Sequence, residues 1–439
     1  MNTTTLGRTP SPRRDQPAVD HLVLGHSTGE QRLVTYQAPA RARPSRTRRT
    51  PVRAALAHLI FRYGVRGLPV RVVLPGGRCW GAGGIDAPVM YLARPGEFCR
   101  RIGTDANIGF GEAYQAGDWS SPDLADLLTV FANRLATAVP PWLQSLRLRV
   151  QRRRRPVQPT TIAAARRNAA AHYDLSNDMF TTFLDETMTY SAAMFAPGDA
   201  DLTRAQLRKI DSVLDAAGVR AGSEIIEIGT GWGALAVRAA QRGATVTTLT
   251  LSVEQAHLAE RRAADAGVAD RVRVLLQDYR EAQGSYEAVV SVEMFEAVGA
   301  AHWPTYLASL DRLLRPGGRV ALQTITMRQH RVQVSQRAHT WINKYIFPGG
   351  LIPSIEAIEA GLAEHTTLRV TRRRDFGADY ATTLRYWRER FRANLDMVAV
   401  AGFDDTFQRG WEYYLAYSEA GFRSGYLGVT QLRLTRTGG

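Results

Sequence analysis

Glu227 stands two residues ahead of three alternate glycines, Gly229, Gly231 and Gly233, in the stretch Ser223-Glu-Ile-Ile-Glu-Ile-Gly-Thr-Gly-Trp-Gly-Ala-Leu-Ala236. The apolar run before the glycines reads as a short strand, and the Ala-rich run after them as a helix reaching Gln241. Glycines at a strand-to-helix turn let the backbone approach a ligand closely, and the helix N-terminus adds oriented N–H donors. The chemistry implied is a nucleotide-type pocket with a carboxylate at its mouth. Three details count against NAD. The spacing is Gly-x-Gly-x-Gly and not Gly-x-Gly-x-x-Gly. The second strand ends in Thr250-Leu251-Ser252 where an acid would hold a ribose. After the third strand come Gln277, Asp278 and Tyr279, polar and aromatic side chains suited to an adenine edge and face.

The elements that must position these residues alternate along the chain. Strands are predicted at 224–228, 245–251, 272–276, 288–292 and 319–326, with helices at 234–241, 253–266 and 303–314 and a turn at Pro316-Gly-Gly318. Such alternation predicts an α/β fold with a doubly wound parallel sheet. With the turn before the fifth strand, the order resembles a class I S-adenosylmethionine methyltransferase. Upstream, a helix over 54–63, a strand over 70–74 and an apolar helix over 124–135 predict a smaller N-terminal α+β domain spanning 51–145. Residues 1–50 and 146–165 are arginine-rich and lack periodicity, so a disordered basic tail and a basic linker are expected there. The catalytic domain is then 166–439.

At 439 residues the chain has room for two or three domains, and its net charge is +15. Lysine occurs only at 209 and 344, so that charge is almost wholly arginine. Arginine forks suit an anionic partner such as nucleic acid or a membrane surface, although a genomic bias toward arginine codons gives the same composition. Two cysteines, Cys79 and Cys99, argue against a disulfide framework and fit a reducing cytosol. No run of about 18 apolar residues is present to span a membrane, and the N-terminus has no apolar secretory core.

From His172 onward the motifs narrow. His172-Tyr-Asp-Leu-Ser-Asn-Asp178, Met188-Thr-Tyr-Ser191, Val292-Glu-Met-Phe-Glu296, Trp341-Ile-Asn-Lys-Tyr-Ile-Phe-Pro-Gly-Gly350 and Phe376-Gly-Ala-Asp-Tyr-Ala-Thr-Thr-Leu384 resemble the cyclopropane-fatty-acyl-phospholipid synthases. The resemblance covers roughly residues 90 to 435. Within that family, Leu184–Ser191, Glu227–Gly233 and Tyr417–Tyr426 are most similar to the actinobacterial tuberculostearic-acid methyltransferases. It implies a helical lipid-site insertion in the methyltransferase sheet. It also implies methyl transfer from S-adenosylmethionine to the double bond of an oleoyl chain on a phospholipid. The product would be a 10-methylene chain, which a separate reductase converts to the 10-methyl form. A cyclopropane product and a catalytically silent lipid-binding relative are the alternatives. By the same resemblance the cofactor is held by Tyr190, Ser191, Glu227, Gly229, Gly231, Gly233, Thr250, Leu251, Gln255 and Tyr279, with Gln255 on the ribose and His172 in a positioning role.

Methyl transfer to an alkene leaves a carbocation, which aromatic faces in 341–347, 380–391 and 411–417 are placed to stabilise. A base must then remove a proton. The resemblance implies a bound bicarbonate held by Glu296 and Tyr380, and no metal. The chain departs from the family at several positions. Ala192 stands where cysteine is usual, Gln323 where many members have histidine, and Glu293 where glycine is common; Glu186 and Thr430 are also unusual. The expected catalytic set is therefore Glu296, Tyr380, Gln323 and Glu293. Glu293 is expected to bias the cation toward a hydride shift and exocyclic methylene, and Ala192 to weaken bicarbonate dependence. The arginines at 147–155 and the tail are expected to dock on an anionic membrane surface, placing the protein in the cytoplasm on the inner face of the membrane. Gly109-Phe-Gly-Glu-Ala-Tyr114 resembles the N-terminal domain of full-length synthases, implicated in membrane docking and homodimer contacts. Nucleic acid is not an expected partner, because Glu293-Met-Phe-Glu296 is no base-stacking motif.

Overall fold

The computed structural model describes residues 51–135, 176–336 and 338–437. The expected tail and linker, the arginine run 147–155 and His172 lie outside the described residues.

The chain begins with α1 (Pro51–Val65), followed by β1 (Arg71–Val73), β2 (Cys79–Trp80) and β3 (Val89–Tyr91). These three form a small sheet of order β2-β1-β3, antiparallel on one side of β1 and parallel on the other. Helices α2 (Pro95–Thr104), α3 (Ala106–Gln115) and α4 (Leu124–Leu135) follow. Asp105 ends α2 and caps α3, its carboxylate accepting from the Asn107 amide. The apolar face of this segment does not close on itself. Phe98, Tyr114 and Trp119 share one buried cluster with Phe180, Trp411 and Tyr413 from the distant sequence. Tyr114 Oη donates to Glu412 at 2.8 Å, and the Arg409 guanidinium donates to the Tyr114 carbonyl at 2.7 Å.

The second part opens with α5 (Asn177–Thr181) and α6 (Leu202–Ala217). It continues through β4 (Glu224–Ile228), α7 (Ala234–Gln241), β5 (Thr245–Thr250), α8 (Val253–Asp265), β6 (Val272–Leu276), β7 (Tyr286–Val292), α9 (Trp303–Arg312) and β8 (Leu314–Met327). Six helices and two strands complete it among the described residues: α10 (Gln329–Ser335), α11 (Trp341–Tyr345), α12 (Ile355–His365), β9 (Leu368–Asp375), α13 (Gly377–Ala393), α14 (Leu395–Val400), α15 (Asp405–Arg423) and β10 (Leu427–Arg436). The seven-stranded sheet has the order β6-β5-β4-β7-β8-β10-β9. Strands β4 to β8 pair in parallel, and β10 runs antiparallel to both of its neighbours.

β4 is an unbroken apolar run apart from its two glutamates, as a central parallel strand covered on both faces must be. The expected turn at Pro316-Gly-Gly318 lies within β8. Tyr286 pairs with Leu314 and Ala288 with Arg319, so Glu287 faces the whole stretch from Arg315 to Gly318. Gly317 at φ 76 makes this bulge, and the ladder resumes beyond it.

Candidate active site

The sheet order reverses between β4 and β7, and at the carboxyl ends of β4, β5, β6 and β7 the loops enclose a cavity of about 870 Å³. That is where an open α/β sheet leaves a crevice for a ligand. Gly229 and Gly231, at φ 101 and 51, carry the first loop along the cavity wall. A Cβ on Gly229 would meet the Met294 side chain at 2.5 Å, whereas one on Gly231 would meet nothing within 4 Å. Gly233 does not line the cavity. It lies at φ 89 with Ala259 2.9 Å from where its Cβ would be, so it serves the packing of α7 on α8.

The other residues expected to hold the cofactor, Tyr190, Ser191, Glu227, Thr250, Leu251, Gln255 and Tyr279, all line the cavity. Glu227 is buried, and its carboxylate accepts from the Thr248 hydroxyl at 2.6 Å. Burial pushes its pKa up to about 8, against the pull of that hydrogen bond and of Lys209. The Thr250 hydroxyl donates to Gln255 Oε1 at 2.8 Å, and Ser252 caps α8 by accepting from the Gln255 amide. Beyond β6, Arg280 grips both oxygens of the buried Asp278 at 2.7 Å, and Tyr279 packs edge-on against Tyr306.

Across the cavity, Glu293 follows β7 with φ 53, a region that favours glycine. Its carboxylate collects three donors: Ala192 N at 2.9 Å, Gln323 Nε2 at 2.8 Å and Tyr380 Oη at 2.8 Å. Of the four expected catalytic residues only Glu293 lines the cavity; Gln323, Tyr380 and Glu296 stand behind it. Glu296 Oε1 accepts from the Ile325 amide, and Oε2 is buried with no hydrogen-bond partner among the described residues. Burial, and then the charge of Glu293, push Glu296 up to about 8. A bicarbonate held by Tyr380 and Glu296 does not fit this arrangement, because the Tyr380 hydroxyl is committed to Glu293.

The expected aromatic lining is also redistributed. Within 341–347, 380–391 and 411–417 only Phe347 faces the cavity, while Trp387, Trp411 and Tyr413 belong to the core. Met188, Met294, Ile346 and Phe347 supply the apolar part of the wall.

Sequence reasoning missed Lys209. It projects from α6, is almost fully buried, and donates to Ser191 Oγ at 2.7 Å. Burial pulls its ammonium down to about 8, opposed by Glu293, Asp185 and Glu227. The signal was compositional: it is one of only two lysines in a chain that otherwise uses arginine for positive charge.

The sequence pattern of the mycolic acid cyclopropane synthetase family matches residues 161–432. The chain belongs to that family. Among its relatives, the tuberculostearic acid methyltransferase UfaA1 of Mycobacterium tuberculosis is 50% identical over 415 residues, covering 91% of this chain and 95% of the relative. The cyclopropane-fatty-acyl-phospholipid synthase of Escherichia coli K12 is 32% identical over 360 residues, covering 80% and 89%. Among solved structures, the mycolic acid cyclopropane synthase CmaA1 complexed with SAH and CTAB superposes with a TM-score of 0.57 at 32% identity, covering 61% of this chain and 97% of that one. Coclaurine N-methyltransferase, at 18% identity and a TM-score of 0.58, shares the fold. This member of the cyclopropane synthetase family is thus an S-adenosylmethionine-dependent methyltransferase with the class I fold.

Proposed function

We propose that the protein methylates the double bond of an oleoyl chain on a phospholipid, giving a 10-methylene acyl chain. One observation carries the reading: a single cavity joins the glycine loop and Glu227 to apolar walls and to the carboxylate of Glu293. S-adenosylmethionine supplies an electrophilic methyl on a sulfonium centre. Glu227 offers its cationic end a buried carboxylate, Gln255 and Thr250 offer hydrogen bonds to a ribose, and Tyr279 offers a face to the adenine. Met294, Ile346 and Phe347 form a dry surface for an acyl chain, which keeps water from a carbocation. Glu293, Gln323, Tyr380 and Glu296 make up the proton-handling side of the site.

The lipid must reach this cavity from a bilayer. No helix among the described residues is long and apolar enough to cross a membrane. Val52, Leu56, Leu59, Ile60 and Tyr63 form an exposed stripe along α1, at 56–80% exposure, beside Arg53 and Arg62. An apolar stripe flanked by arginines suits the interface of an anionic membrane, so the reading includes peripheral attachment to the inner face of the cell membrane. A separate reductase acting on the methylene product, and a homodimer, complete the proposal.

The test uses purified protein, methyl-labelled S-adenosylmethionine and phosphatidylglycerol vesicles. Label should enter the lipid of oleoyl vesicles and not of fully saturated stearoyl vesicles. Equal labelling of both, or labelling of neither, would refute the reading.

A further inference from the structure

The Glu293 carboxylate is over-determined. Its three donors come from three separate segments: the Ala192 amide, the Gln323 side chain on β8 and the Tyr380 hydroxyl on α13. The Gln323 amide is itself oriented, because its oxygen accepts from Gln431 Nε2 at 3.0 Å. Gln431 is fixed in turn by the Ser212 hydroxyl, which donates to its oxygen at 2.7 Å. This relay points the Gln323 NH2 at Glu293. The side chain also sits on a backbone at φ 53, a conformation that persists only where the surroundings enforce it.

We propose that the Glu293 carboxylate is the enzyme's own base, filling the position where the family resemblance implies a bound bicarbonate. This rests on the alkene-methylation reading above. The donors that would hold a small oxyanion are already saturated by a tethered one, and that tethered oxyanion faces the cavity. Methyl transfer to one alkene carbon leaves the positive charge on the other. A 1,2-hydride shift from the methyl-bearing carbon moves the charge next to the new methyl, and one C–H bond of that methyl then breaks. Its proton goes to a Glu293 oxygen, and its electron pair becomes the exocyclic C=C bond to the adjacent cationic carbon. No further reactant is needed.

The neighbouring charges divide the labour between the two carboxylates. Burial pushes the Glu293 carboxyl above the ordinary carboxylate range, opposed by its three donors and the Lys209 ammonium, which support its ionised form. Glu296 has the Ile325 amide on one oxygen and none among the described residues on the other, so it takes the proton first. Two adjacent carboxylates then do not have to ionise together.

The experiment compares wild type, Glu293→Gly and Glu293→Gln, each loaded with S-adenosylhomocysteine for binding and with S-adenosylmethionine for turnover. Carbon NMR with isotope-labelled bicarbonate should show no bound signal for wild type and a bound signal for Glu293→Gly, whose glycine suits the backbone and whose fold circular dichroism checks. On oleoyl phosphatidylglycerol vesicles, wild type should turn over equally in bicarbonate-stripped and replenished buffer. Glu293→Gly should fall by about a hundredfold or more when stripped and recover with bicarbonate, while Glu293→Gln should stay slow in both. Bicarbonate bound by wild type, or wild-type turnover that requires it, overturns the proposal. Absence of product from wild type in both buffers overturns the alkene reading and the base role with it, whereas the NMR result alone decides whether Glu293 displaces the anion.

Discussion

Glu227 and Glu296 are both buried carboxylates pushed up to about 8, and each leaves a mark on pH dependence. Between the ordinary carboxylate range and about 8 the native protein binds more protons than the unfolded chain, so unfolding free energy falls as pH rises through that window. The melting temperature of the ligand-free protein should therefore decline from about pH 5 to pH 8, and more shallowly in Glu227→Gln. A cationic ligand binds the ionised form of Glu227, so S-adenosylmethionine affinity should rise with pH toward about 8, by up to roughly tenfold per unit. Calorimetric titration of Glu227→Gln should show a flat profile. Lys209 adds a third case. Removing its charge leaves Glu227 and Glu293 harder to ionise, so Lys209→Met should move the acid limb of the kcat profile to higher pH. An unmoved limb would separate Lys209 from the carboxylates. Gly229, Gly231 and Glu227 were legible because a strand-to-helix turn restricts residue type. The grouping of Ala192, Gln323 and Tyr380 around Glu293 was not, because those contacts join positions 101, 30 and 87 residues apart in sequence.

At the scale of elements, α3 acts as a brace for α11, whose Asn343 lines the cavity. Lys344 Nζ and Tyr345 Oη approach Glu112 Oε1 at 2.5 and 2.6 Å, and Trp341 Nε1 donates to Gln115 at 2.9 Å. Gly111 permits the close approach, since a Cβ there would lie 2.6 Å from the Trp341 ring. The Gly109–Tyr114 motif thus shapes the apolar side of the site. Glu112→Ala should cost about 2 kcal/mol in urea unfolding and raise KM for the lipid while leaving S-adenosylmethionine affinity unchanged. A matching loss of cofactor affinity would mean that the brace reaches the glycine loop instead. The parallel strands were readable from apolar runs bounded by glycine and polar residues. Helices α10 and α11 were not, because seven and five residues hold too little of a 3.6-residue period to show a face. Pro316-Gly-Gly318 misled for a related reason: its residues suit a bulge as well as a turn.

Over the whole molecule, described residues from 51–135 and from 176 onward build one apolar cluster, so the N-terminal part is a structural component of the catalytic part. On the proposed function, its exposed α1 stripe meets the membrane that supplies the lipid. Replacing Leu59 and Ile60 together by aspartate should lower co-sedimentation with phosphatidylglycerol vesicles by about tenfold or more, with turnover on detergent-dispersed lipid retained. Added salt should weaken wild-type binding, as screened arginines require. Fold and cofactor class were legible at this scale from alternating elements and one glycine loop. The fate of the carbocation was not, because it depends on which oxyanion occupies a pocket assembled from β7, β8, α13 and the Ala192 loop. Proton NMR of the lipid made by wild-type enzyme from oleoyl phosphatidylglycerol and S-adenosylmethionine in bicarbonate-stripped buffer tests this most directly. The account predicts exocyclic methylene protons on a chain one carbon larger; cyclopropane protons, or product only after bicarbonate is restored, would contradict it.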